Sequence, residues 1–170
     1  MALMDKSRSF KSLFICIVVA LVLAFAARVW FVAEKMPQLE YKLVDGSVLS
    51  MDGLQNKVVV FSFWSTSCGS CIAEMPHLVK MYEEYGKQGF EIVAIALAQD
   101  QLRDVVRLVY DKKLPYKVAY DADGRTAQAW GGIEYTPTVF IVNRKGQVIA
   151  RMVGGESAEI EAVIKTLLQV

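Results

Sequence analysis

The stretch WSTSCGSCIAEMP, Trp64–Pro76, holds two cysteines three positions apart, Cys68 and Cys71. The third cysteine of the chain, Cys16, lies far away in an apolar run. A Cys-x-x-Cys pair can be half of a zinc site, a passive staple or a redox centre. Its flanks place it. Before it runs KVVVFSF, Lys57 to Phe63, a continuous series of β-branched and aromatic residues that suits a strand buried on both faces. After it Ile72, Met75, Leu78, Val79 and Tyr82 recur at steps of three and four, a helical period that continues to about Tyr85 and stops at Gly86 and Gly89. The pair therefore sits where a buried strand hands over to a helix.

A structural zinc site needs four ligands. The same region offers only His77 besides the two cysteines, and His77 is on the same helix, so no metal site is expected. A staple closing so short a loop removes little entropy from the unfolded chain. Redox chemistry fits the junction. Cys68 falls at the helix N-terminus, where unpaired backbone N–H groups and the helix dipole stabilise a thiolate. Cys71 lies one turn further in and is more covered. Cys68 is then the thiol that attacks a disulfide, and Cys71 the one that resolves the mixed disulfide.

Around this centre the chain has 170 residues and a formal net charge of +1, from 19 basic and 18 acidic side chains. That balance gives no footprint for nucleic acid. The hydrophobic fraction of 54% is high for a soluble domain, and one segment explains much of it. Residues 13–27 read LFICIVVALVLAFAA, and VWFVA follows Arg28. With Arg28 snorkelling, residues 13–32 reach the length of a span, ~20 residues, with Trp30 and Phe31 at the far interface. Lys6, Arg8 and Lys11 precede the run, so the N-terminus is expected in the cytoplasm and the rest on the other side of the cytoplasmic membrane. The alternative is a cleaved signal peptide, for which Ala24-Phe25-Ala26 has the small-x-small form. Cys16 is read as a buried apolar side chain.

The expected organisation is a signal-anchor over 1–33, a connector over 34–38 containing Pro37, and a single domain over 39–170. Two short strands, Tyr41 to Val44 and Val48 to Met51, flank the Asp45-Gly46 turn. Phe90 to Leu97 is a second buried strand. Gln101 to Lys113 is an amphipathic helix with Leu102, Val105, Val106 and Val109 on one face, and Tyr116 to Tyr120 a short strand. A polar helix, Ala122 to Trp130, ends at Gly131-Gly132, with Trp130 a core or cap residue. Thr138 to Val142 is a third buried strand, turned at Asn143–Gly146 into Val148 to Val153, and a helix closes the chain over Ser157 to Leu168. Strands alternating with helices, then a hairpin, imply an α/β sandwich with a mixed central sheet.

A strand ending in Phe63-Trp64, the Cys68–Cys71 pair, Glu74 and Pro76, and much later Gly132-Ile133-Glu134-Tyr135-Thr136-Pro137 before a strand, together resemble the thioredoxin fold. More narrowly they resemble the membrane-anchored thiol-disulfide oxidoreductases of the TlpA/ResA/DsbE type, from about Pro37 to the C-terminus. The resemblance implies a thioredoxin-like sandwich, preceded by one transmembrane helix, with the helix at Gln101–Lys113 and the strand at Tyr116–Tyr120 as an inserted helix–strand unit. It implies that Pro137 is cis beside the cysteines, that Pro76 is the helix-kinking proline, and that Glu74 exchanges protons with Cys68 and Cys71. The bland reading of Glu74 is a solvated first-turn acid. Trp64 is expected to pack under the active-site loop and, with Thr136 and Pro137, to form the substrate-binding side.

Two departures stand out. Ser67 replaces the bulky residue often found before the first cysteine, and Gly69-Ser70 lacks the proline often found between the two. Ser62 stands where classical thioredoxins carry a buried aspartate, which leaves Glu74 as the proton partner. His77 is read as a helix-surface residue.

The resemblance implies protein thiols and disulfides as substrates, apocytochrome c among them, no cofactor, and a membrane thiol donor of the CcdA/DsbD type. Three other readings remain open: a dithiol oxidase running the site in reverse, a peroxiredoxin-type peroxidase using Ser65, and a binding module with idle cysteines.

Overall fold

The structure, a computed structural model, describes residues 17–19 and 34–169. Residues 17–19 are helical. The rest of the expected membrane segment, and with it Cys16, lies outside the described residues. Among the described residues no helix is long and apolar enough to cross a membrane.

Glu34–Val170 is a compact unit by itself. Its strands and helices are β1 (Tyr41–Lys42), β2 (Val48–Leu49), β3 (Val58–Trp64), α1 (Gly69–Tyr85), β4 (Phe90–Ala96), α2 (Leu102–Lys112), β5 (Lys117–Tyr120), α3 (Arg125–Ala129), β6 (Thr138–Val142), β7 (Val148–Val153) and α4 (Ser157–Leu168). β1 and β2 form a small antiparallel hairpin closed by Gly46, whose φ of 87° is the left-handed conformation that glycine supplies at least cost. The other five strands form one mixed sheet in the order β5-β4-β3-β6-β7. β3 pairs in parallel with β4 and antiparallel with β6. This is the thioredoxin-like α/β sandwich with its extra helix–strand unit, α2 and β5, and that unit adds the edge strand beside β4.

Every residue of β3, β4 and β6 is buried, as expected for strands covered on both faces. Side-chain alternation divides the core in two. Val58, Val60 and Trp64 of β3 face α1 and α4, together with Met75, Leu78, Ile160 and Ile164. Val59, Phe61 and Phe63 face the β1–β2 hairpin and Trp130. Trp130 is a core residue. Its ring lies 4.6 Å from both Phe61 and Phe140, and its indole N–H donates to Tyr41 Oη at 3.3 Å. Trp130→Ala is expected to cost about 3–5 kcal/mol in chemical denaturation, the range for emptying an aromatic site in a core.

The structure corrects the sequence reading at two elements. The inward face of α2 is Val105, with Leu108 and Val109 partly buried, whereas Leu102 and Val106 are 47% and 41% exposed. The stripe at 105, 108 and 109 satisfies the helical period; Val106 lies to its side, and Leu102, on the same face as Val109, is exposed as the first residue of the helix. α3 is shorter than expected because Gly124, with φ 73°, starts it late. Its first turn is held by Asp121, which accepts from Thr126 N at 3.0 Å and Ala127 N at 2.8 Å. Residues 34–38, expected as a connector, lie against the β6–β7 turn. Val148 N donates to Glu34 O at 2.7 Å, Met36 N donates to Gly146 O at 3.0 Å, and the Met36 side chain is buried.

Candidate active site

Strand register brings the carboxyl ends of β3, β4 and β5 to one pole with the start of β6 and the end of β7. Trp64 lies beside Ala96, Ala96 beside Tyr120, Phe63 beside Thr138, and Thr138 beside Val153. The loops leaving these ends build the site.

Cys68 caps α1 with extended backbone, φ −87° and ψ 100°. Cys71 N donates to Cys68 Sγ at 3.2 Å, and Ser70 Oγ lies 3.4 Å from the same sulfur. An N-cap normally uses an oxygen for this task. Here the sulfur receives it, and the same N–H would stabilise a thiolate once the bond to Cys71 opens. Cys68 and Cys71 are joined as a disulfide. Cys71 is 4% exposed, among the apolar side chains under α1, while Cys68 is only half-buried. The asymmetry expected from the sequence is therefore present.

Glu74, one turn on from Cys71, is 8% exposed. Burial pushes its carboxyl above the ordinary carboxylate range, and the Ser157 hydroxyl at 3.5 Å and nearby His77 partly offset this. Glu74 is thus a covered acid and not a solvated first-turn one. Its charge is also felt at Tyr116, whose hydroxyl is raised first by burial and then by Glu74. His77 is exposed, as expected of a helix-surface residue. Pro76 lies inside α1, where it withholds the N–H that the Ile72 carbonyl would receive.

The peptide between Thr136 and Pro137 is cis. Pro137 is buried, and its carbonyl accepts from Gly154 N at 2.8 Å, which ties the start of β6 to the loop after β7. A groove of about 400 Å³ runs beside it, lined by Ser70, Ala73, Glu74, His77, Pro137 and Ser157 among others. The structure thus brings Glu74 and Pro137 into one groove with Ser70 of the cysteine loop, and Thr136 precedes it at the cis bond. Trp64 is placed differently. At 2% exposure it offers no surface to a ligand and lies in the core under the site, its indole N–H without a partner among the described residues.

Sequence pattern did not mark two contributors. Ser157 and the Gly154–Glu156 turn form the far wall of the groove, and only the pairing of β6 with β7 brings them there. Asp100 holds the loop before Cys68. Its position just ahead of α2 reads in sequence as a helix-start acid.

A half-exposed cysteine at a helix N-terminus, a covered partner one turn in, and a cis-proline strand beside them define a thioredoxin-like thiol-disulfide oxidoreductase. The chain belongs to the Redoxin family, which it matches over residues 31–168. It is 32% identical over 117 residues to the thiol-disulfide oxidoreductase ResA of Halalkalibacterium halodurans, across 69% of this chain and 65% of that relative, so the match spans just under two thirds of its length. It is 29% identical over 147 residues to ResA of Oceanobacillus iheyensis, across 81% of this chain and 76% of that one. Among solved structures, a thiol:disulfide interchange protein of the thioredoxin family from Chlorobium tepidum superposes with a TM-score of 0.74 at 27% identity, covering 80% of this chain and 97% of that one.

Proposed function

We propose that the chain is an exported thiol-disulfide oxidoreductase that reduces protein disulfides through Cys68 and Cys71. The observation that carries this reading is the placement of the Cys68 sulfur. It sits at the open end of α1 with the Cys71 N–H at 3.2 Å, while the Cys71 sulfur is covered and close in sequence to a buried acid. Starting from the dithiol, the Cys68 thiolate attacks one sulfur of a substrate disulfide. The substrate S–S bond breaks, and its other sulfur leaves as a thiolate that takes up a proton. Glu74 receives the Cys71 proton, and Cys71 attacks the Cys68 sulfur of the mixed disulfide. The Cys68–Cys71 bond forms, the second substrate thiol departs, and two electrons have passed to the substrate.

In this reading the backbone of Thr136 and Pro137 lines the path of an extended substrate chain. Proline donates no N–H, so the contacts come from Thr136. Trp64 acts from beneath as the floor of the loop. Ser65, the residue a peroxidase would need near Cys68, spends its hydroxyl on Asp100 and Ser67, which disfavours that alternative.

The apolar run over 13–32 behind a basic cluster supports a single-pass anchor in the cytoplasmic membrane with the catalytic domain outside. An oxidising exterior then demands reducing equivalents from a membrane thiol donor of the CcdA/DsbD type. Apocytochrome c, with its haem-binding cysteines, is the target that the ResA resemblance suggests.

The test is to incubate the reduced Cys71→Ser chain with a disulfide-bonded protein and look for a covalent adduct. A mixed disulfide through Cys68 that reductant releases is expected. Absence of any adduct while wild-type chain reduces the same substrate would overturn the assignment of Cys68 and Cys71.

A further inference from the structure

Between Trp64 and Cys68 the chain makes a tight loop, and its geometry is not held by the cysteines alone. Asp100, 8% exposed, reaches into it from the end of the turn after β4. One carboxylate oxygen accepts from Ser65 Oγ and from Thr66 Oγ1, each at 2.8 Å. The other accepts from Thr66 N at 2.8 Å. The hold continues to the cysteine. Ser65 Oγ lies 3.0 Å from Ser67 Oγ and accepts from Ser67 N at 3.3 Å, and Cys68 N donates to Ser65 O at 3.0 Å. Asp100 is itself fixed from behind. Its N donates to Leu97 O at 3.0 Å, and its carbonyl accepts from Tyr120 Oη at 2.7 Å.

Asp100 and Tyr120 bracket the inserted unit, one just before α2 and the other at the end of β5. Both ends of the insertion therefore converge on the loop that carries Cys68. A buried carboxylate that accepts three hydrogen bonds from two adjacent loop residues is a strong local constraint, because each lost bond would leave a desolvated donor or acceptor behind. Thiolate stabilisation at a helix N-terminus falls off within the first turn, so the sulfur must be kept at the cap.

We infer that Asp100 is a positioning residue for the exchange reaction: through Ser65 and Thr66 it holds the Cys68 sulfur against the N-terminal N–H groups of α1, and so sets how readily Cys68 reacts. This rests on Cys68 being the attacking thiol.

The test uses the full chain, reduced, with Asp100→Ala and Asp100→Asn. Asp121→Ala serves as control, since Asp121 is also buried and also holds backbone N–H groups but touches no residue of the loop. Two quantities are read: the rate of Cys68 alkylation at neutral pH, followed peptide by peptide, and the equilibrium constant of the pair with glutathione. Asp100→Ala should slow Cys68 alkylation about tenfold and shift the equilibrium toward the disulfide by a similar factor, because the reduced form loses its stabilised thiolate. Asp100→Asn keeps one acceptor oxygen for the hydroxyls and should show a smaller shift in the same direction. Asp121→Ala should lower the melting temperature and leave both readouts at wild-type values.

Unchanged reactivity in both Asp100 variants, or faster alkylation from removing a negative charge, would overturn the proposal, as would an equal shift in the control. Preferential alkylation of Cys71 over Cys68 in the wild-type chain would instead overturn the underlying assignment of the attacking thiol.

Discussion

Cys68→Ser is expected to abolish disulfide exchange, with a loss of at least about 10³-fold in the reduction of a protein disulfide such as that of insulin. A hydroxyl at this place is not ionised at neutral pH and forms no bond to sulfur that Cys71 could resolve. The fold should survive. Serine is among the best N-cap residues, and the substitution puts an oxygen where the Cys71 N–H already donates. The disulfide closes so short a loop that its loss removes little stability. Activity and melting temperature, measured together, separate the two effects. A binding module with idle cysteines would keep its function in this variant, so the full loss in a folded protein is the informative result.

Glu74→Gln is expected to slow exchange by about 10²-fold, the scale of a positioned acid–base group, while making the domain more stable at neutral pH. The stability sign follows from burial. The folded carboxyl titrates above its ordinary value because burial disfavours the charged form. The favourable contribution of Glu74 is then complete below the ordinary carboxylate range and is lost as pH rises through the folded value. Among the described residues the one hydrogen-bond partner of Glu74 is the Ser157 hydroxyl, at 3.5 Å, so ionising the carboxyl costs more in the folded state than in the unfolded one. Glutamine removes that cost, so the melting temperature should rise at neutral pH, and the difference should vanish at about pH 4. Slower exchange with higher stability marks a residue kept for chemistry. A fall in melting temperature at neutral pH, with exchange unchanged, would return Glu74 to a structural role.

Much of this site is legible in the chain because its parts are local. KVVVFSF announces a doubly buried strand, the spacing of Ile72, Met75, Leu78 and Tyr82 a helix, and Cys68 lies between them. The cis bond at Thr136-Pro137 is what the family resemblance implies for a proline placed before the strand over Thr138–Val142. What periodicity leaves open is decided by contacts across the sheet. The burial of Glu74 depends on α4, with Ser157 set beside it by the turn after β7, and nothing in the helix containing Glu74 encodes that. Asp100 looks like a helix-start acid because the Thr66 N–H it binds is far back in the sequence. On α2 five apolar residues, Leu102, Val105, Val106, Leu108 and Val109, spread over more than one stripe, and only packing against the core selects Val105, Leu108 and Val109. Residues 34–38 carry polar residues and a proline, yet Met36 docks because the β6–β7 turn presents a free carbonyl at Gly146.

The direction of electron flow is the centre of this account, and the reduction potential of the Cys68–Cys71 pair tests it most directly. Equilibrating the unit beginning at Glu34 with defined thiol buffers gives the value. A potential near or below that of thioredoxin, about −270 mV, is the predicted result and marks a reductant of protein disulfides. A potential approaching the strong oxidants, about −120 mV, would contradict the account and make the protein a donor of disulfides.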